Sequence, residues 1–149
     1  MQCGLKAALT VSFVVGMLAA VPGARADGTV NVLLEDASEG GNLSGMKMTV
    51  TPDSVKSGRI TIHATNKSTG LVHEVIVVRP PSIGAPLPYD DKQGMVIEKQ
   101  IKHLGEVSDL PAGKSGSITL RLSPGDYLLI CNQPNHYKAG MWTKLRVAS

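Results

Sequence analysis

Aromatic residues make up only 3% of this 149-residue chain: one Phe, one Trp and three Tyr. With so few rings, the core must be built from Val, Ile and Leu, which suits strands. Cysteine is scarcer still, with only Cys3 and Cys131, which rules out a small disulfide-stapled scaffold. Charge is sparse and mixed, at 15 basic against 12 acidic residues. The basic residues are scattered and do not alternate with aromatics, so the footprint of a nucleic-acid-binding surface is missing. The apolar run from Ala7 to Ala20 is too short to span a bilayer comfortably. Internal repeats and low-complexity tails are absent.

What the first 26 residues do contain is an export pattern. Lys6 precedes the apolar run, Val21-Pro22-Gly23 breaks it, and Ala24-Arg25-Ala26 follows as an A-x-A cleavage site. The expectation is a cleaved signal peptide over 1–26 and one domain over 27–149, exported to the periplasm with no stable membrane insertion after cleavage. Cys3 precedes the apolar run, so it does not read as a lipid-attachment cysteine. The leader carries two basic residues, Lys6 and Arg25, and no acids, leaving 13 basic against 12 acidic in the mature domain. It also takes Cys3, so Cys131 becomes the single thiol. A lone free thiol in an oxidising compartment calls for an explanation, and metal ligation supplies one.

Short β-type runs recur along the mature part. Thr29 to Leu34 alternates before an acidic, Gly-rich stretch through Gly41. Met46 to Thr51, Arg59 to Thr65, Val72 to Val78, Ser117 to Leu122 and Trp142 to Val147 follow the same habit. Tyr127 to Cys131 is apolar on both faces, as a central strand would be. Short strands between turn residues read as an all-β sandwich or barrel. The segment from Arg79 to Gly94 holds Pro80, Pro81, Pro86 and Pro88 and cannot be an interior strand. Met95 to Leu104 reads as a short helix or an irregular strand. Residues 79–104 together form a Pro-rich excursion, expected on one edge of the sandwich.

The most specific feature is the loop Cys131-Asn132-Gln133-Pro134-Asn135-His136-Tyr137-Lys138-Ala139-Gly140-Met141. It spaces a thiol, an imidazole and a thioether with four intervening residues each time. Thiolate and thioether are soft and favour Cu(I), while imidazole suits both copper states. A His₂Cys site with a weak axial Met needs one more histidine, and His73, ahead of a Val-rich strand, is the candidate. Asn66, in the turn before it, is expected to help position that approach.

These residues resemble a family. The extended 55–66 region, His73-Glu74 before a Val-rich strand, Pro124-Gly125-Asp126-Tyr127 leading to Cys131, and the Cys–His–Met loop are similar to the cupredoxins, the type 1 blue copper proteins. The resemblance covers nearly all of the mature chain and is strongest to sulfocyanin-like and plastocyanin-like bacterial members. The loop spacing is similar to that of rusticyanins, auracyanins and plantacyanins. It implies a Greek-key β-sandwich, with His73, Cys131 and His136 as equatorial ligands of one copper ion and Met141 as the axial one. It implies a non-enzymatic carrier of single electrons: a monomer that transiently meets a redox protein such as a cytochrome or an oxidase. His136 would be the electron port, inside an apolar patch drawn from Pro134, Tyr137 and Ala139. Tyr127 is expected to tie its hydroxyl back to nearby backbone. Many family members carry Asn after the first histidine, whereas this chain has Glu74. An ionised carboxylate accepts a backbone N–H but cannot donate, and its charge would favour Cu(II).

Other readings compete for the same residues. A periplasmic copper-binding protein for copper tolerance or delivery would use the same ligands, and the extra methionines keep it in view. A Cys–His nucleophile pair would need an orienting group and an oxyanion hole, and neither signature is present. Structural zinc sites take Cys and His rather than Met. His63 is read as exposed on a polar strand face, His103 as a surface residue of the excursion, and Met46 and Met48 as core. Met95 is a candidate for the apolar rim of the copper site.

Overall fold

The computed structural model describes residues 28–36, 43 and 45–149. The leader read over 1–26, with Cys3, and most of the Gly-rich stretch through Gly41 lie outside the described residues. Eleven strands follow in order: β1 Gly28–Glu35, β2 Lys47–Thr51, β3 Ser54–Lys56, β4 Gly58–Asn66, β5 His73–Val78, β6 Tyr89–Asp90, β7 Met95–Val96, β8 His103–Leu110, β9 Ser115–Leu122, β10 Gly125–Ile130 and β11 Trp142–Ala148. A single 3₁₀ turn, Glu98–Gln100, lies between β7 and β8.

The alternation seen in sequence dictates the layers. Val30, Val32 and Leu34 of β1 and Ile60, Ile62 and Ala64 of β4 are buried, while Asn31, Leu33 and His63 between them are exposed. They line the inner face of a four-stranded sheet ordered β2-β1-β4-β9. A five-stranded sheet ordered β3-β11-β10-β5-β8 faces it, contributing Val75, Val77, Tyr127, Leu129, Leu145 and Val147 to the shared core. The result is the expected all-β sandwich. His63 is exposed and Met46 and Met48 are buried, as expected. The Tyr127 hydroxyl donates to the Ser123 carbonyl at 2.7 Å, the anticipated tie to nearby backbone.

The excursion departs from expectation. It does not sit at an edge but lies over the outer face of the five-stranded sheet. Ile76 and Val78 of β5 and Leu128 and Ile130 of β10 point outward, and Leu87 and Val96 of the excursion bury them, with Ile83, Tyr89, Ile101 and Tyr137 packed around. This second core explains why β5 and β10 are apolar on both faces: the inner side meets the other sheet, the outer side meets the excursion. Met95 to Leu104 is neither one helix nor one strand. It is the short β6–β7 ribbon's second strand, the 3₁₀ turn and the start of β8.

Candidate metal centre

His73 opens β5 and Cys131 follows the last residue of β10. These strands are antiparallel neighbours, with Ile130 opposite Ile76 and Leu129 opposite Val77, so the sheet itself delivers the histidine to the cysteine. Asn66 places the approach. Its buried amide donates to the carbonyls of Leu71 (2.8 Å) and Leu110 (2.7 Å) and accepts from the Ser68 N–H. Leu71 lies two residues before His73, and Leu110 is paired with His73.

The loop from Cys131 to Met141 closes on itself. The Cys131 N–H donates to the Met141 carbonyl and the Met141 N–H to the His136 carbonyl, both at 3.0 Å. Turn bonds from His136 to Gln133 and from Gly140 to Tyr137 tighten it. Three donor atoms thereby converge: Nδ1 of His73 and Nδ1 of His136 lie 3.2 Å apart, and Sγ of Cys131 is 3.8 Å from the first and 3.4 Å from the second. A first-row ion in a trigonal plane, with metal–nitrogen distances of about 2.0–2.1 Å and metal–sulfur of about 2.3 Å, separates its nitrogens by about 3.5 Å and nitrogen from sulfur by about 3.8 Å. The observed triangle has that size. Met141, fully buried, belongs to the same core cluster as Cys131. Two imidazoles, one thiol and a thioether form a soft-to-borderline set that suits copper.

Burial governs the electrostatics. His73 is completely enclosed, and desolvation, helped by neighbouring His136, lowers its pKa to about 4 against a weak opposing pull from Asp36. His136 is lowered for the same reason, burial. Both rings are therefore neutral at pH 7 and present lone pairs. Burial also pushes the Cys131 thiol up to about 12, although backbone N–H groups of Gln133 and Glu74 face the sulfur and favour the thiolate. Cys131 is also completely buried, whereas reactive cysteines are accessible and have depressed pKa values.

Glu74 is buried beside His73, and its Oε1 accepts the Asn132 N–H at 3.0 Å, the one role an ionised carboxylate has there. Its pKa is raised to about 7, by burial first, against that N–H, and further by Glu106, Asp109 and Glu98. His103 is half-buried at the start of β8, with Nδ1 3.5 Å from Glu98 and Nε2 3.4 Å from Glu106. Each ring nitrogen faces its own carboxylate, so this group holds a histidine between two acids.

Of the apolar rim expected around His136, Pro134 is exposed while Tyr137 and Ala139 are half-buried. Tyr137 leans on the excursion, its ring 6.2 Å from that of Tyr89, and Ala139 packs against the main core. Val72 and Trp142 are exposed apolar residues at 40% and 41%; one precedes His73 and the other follows Met141. The alternation of Leu145 and Val147 inward already implied that Trp142 faces out. Met95 is half-buried and borders a shallow cleft with Asn132.

No family model matches the chain. Auracyanin-B of Chloroflexus aurantiacus is 56% identical over 39 residues, a stretch that spans 26% of this chain and 17% of that protein. Among solved structures, auracyanin B is 24% identical with a TM-score of 0.58, the alignment covering 85% of this chain and 93% of that one. The reduced auracyanin of Roseiflexus castenholzii is 22% identical (TM-score 0.54, 83% and 98% covered). Rusticyanin from Thiobacillus ferrooxidans is 18% identical (TM-score 0.54, 84% of each covered). At these identities the likeness is one of fold, and the chain has the cupredoxin fold.

Proposed function

We propose that the protein carries single electrons through one type 1 copper ion, held by His73, Cys131 and His136 with Met141 as the weak axial ligand. When bound, the ion would supply a one-electron Cu(I)/Cu(II) couple. The chain's residues do the rest. The sheet and the closed loop fix the donor triangle, so little of it needs to move when charge changes. The core excludes water from His73, Cys131 and Met141, each 0% exposed, and His136, at 6%, is buried too but the most exposed of the four. That enclosure carries the proposal: it suits passage of an electron through His136 better than release of the metal. Val72, Pro134 and Trp142 would supply the apolar contact for a transient redox partner such as a cytochrome or an oxidase, an encounter of the small, short-lived class. The export pattern over 1–26 supports a periplasmic location, and no helix among the described residues is long and apolar enough to cross a membrane.

The test mixes Cu(II)-loaded protein with reduced c-type cytochromes and, separately, the Cu(I) form with a competing Cu(I) chelator. Fast reduction with the metal retained is the expected result. Rapid copper loss with slow reduction would favour copper delivery instead. Trp142→Lys should slow reduction by about tenfold while leaving the absorption spectrum unchanged; an unaltered rate would remove Trp142 from the docking surface.

A further inference from the structure

Asn132 follows Cys131 and is fully buried, and its side-chain hydrogen bonds go to Val96 and Glu98 rather than to a proposed ligand. A buried amide is costly unless all its groups are paired, and here they are. Its Oδ1 accepts the Val96 N–H at 2.6 Å, and its Nδ2 donates to the Val96 carbonyl at 3.1 Å and to Glu98 Oε1 at 2.9 Å. The side chain thus pairs with β7 as a neighbouring strand would, on the edge not used by β6. Its backbone N–H goes to Glu74 at 3.0 Å. Three separate segments, β5, β7 and the 3₁₀ turn, therefore meet at the residue between Cys131 and Gln133.

The consequence falls on the sulfur. Gln133 N–H belongs to the peptide that Asn132 leads into, and Glu74 is held by the Asn132 N–H; these two residues carry the backbone N–H groups that face Sγ. Hydrogen bonding around the cysteine sulfur is one of the levers that tune such sites. We infer that Asn132 is a positioning residue: by pinning the excursion to the cysteine loop, it holds Cys131 and the N–H groups around its sulfur in register. The inference rests on the copper reading above. An apolar residue of the same volume would fill the space without that register.

Asn132→Leu tests it with two readouts. In metal-free protein the Val96 amide should exchange its hydrogen about tenfold faster, the equivalent of one net buried hydrogen bond. In Cu(II)-loaded protein the thiolate-to-copper absorption should shift and the reduction potential should fall, because weaker N–H···S bonds stabilise the electron-rich reduced site less. Glu98→Gln keeps an acceptor for Asn132 and should behave as wild type. Leu87→Ala loosens the outer core without touching the Asn132 bonds and should leave band and potential in place. Unmoved band and potential in Asn132→Leu, with the Val96 amide freed, would overturn the inference, as would an equal shift in Leu87→Ala. Should Asn132→Leu fail to fold, Glu98→Ala removes one bond: a smaller shift in the same direction supports the inference, and none overturns it. A colourless wild-type protein would refute the copper reading itself, whereas a coloured wild type with an unmoved variant refutes only the role of Asn132.

Discussion

Glu74 and His73 are adjacent, both buried, and pull the stability of the metal-free protein in opposite directions. Glu74, raised to about 7 from 4.5, holds its proton in the folded state where the unfolded chain has lost it. Folding stability from this group therefore falls as pH rises from about 4.5 to about 7 and is flat above. His73, lowered to about 4 from 6.5, binds its proton more readily when unfolded, so its contribution rises with pH between those values. The two largely offset up to pH 6.5, and only the Glu74 loss remains beyond it. Glu74→Gln keeps the acceptor for Asn132 and removes the buried charge. The metal-free variant should be more stable than wild type at pH 8, by about 1–3 kcal/mol, with little difference at pH 4.5; thermal unfolding at the two values checks this. In the copper form the same change should raise the potential at pH 8, since a nearby carboxylate favours Cu(II). Met141→Gln should retain copper and lower the potential; loss of copper binding would show that Met141 is more than an axial ligand. The proposed ligands were legible from sequence because thiol, imidazole and thioether are chemically distinctive and three of them share one loop. The role of Asn132 was not, since its partners lie in the excursion, 36 and 34 residues earlier, and an amide beside a ligand has many possible uses.

Strands with strict alternation, such as β1, β4 and β9, could be read directly because one face is apolar and the other is not. β8 could not. Gly105 and Asp109 take positive φ values of 154° and 40°, the pairing with β5 shifts register, and only Val107 and Leu110 are buried. The excursion was visible by its prolines, but its place over the sheet face was not, because Ile83, Leu87, Val96 and Ile101 follow neither a helix nor a strand period. The signal available was indirect: two strands apolar on both faces require a cover on each. The cover is also fastened to the metal loop. Asn135 N–H donates to the Gly94 carbonyl at 2.7 Å, Lys138 pairs with Asp91, and Gly94 sits at φ 70° where a Cβ would come 2.6 Å from Asn135 Oδ1. Gly94→Ala should therefore cost about 1–3 kcal/mol and loosen the segment just before His136. An unchanged unfolding midpoint would mean that this contact does not hold the loop.

At the scale of the whole molecule, the sandwich buries all four proposed ligands, His136 least completely at 6%, while Val72 before His73 and Trp142 after Met141 are exposed. An enclosed donor set suits movement of an electron better than movement of a metal ion. The claim beneath all of this is that Cys131, His73 and His136 hold copper through a thiolate bond, and the visible absorption spectrum of the Cu(II)-loaded protein tests it most directly. The account predicts an intense thiolate-to-copper charge-transfer band that disappears on reduction, returns on reoxidation without loss of copper, and is abolished by Cys131→Ala. A colourless Cu(II) form, or a band that survives Cys131→Ala, would contradict it.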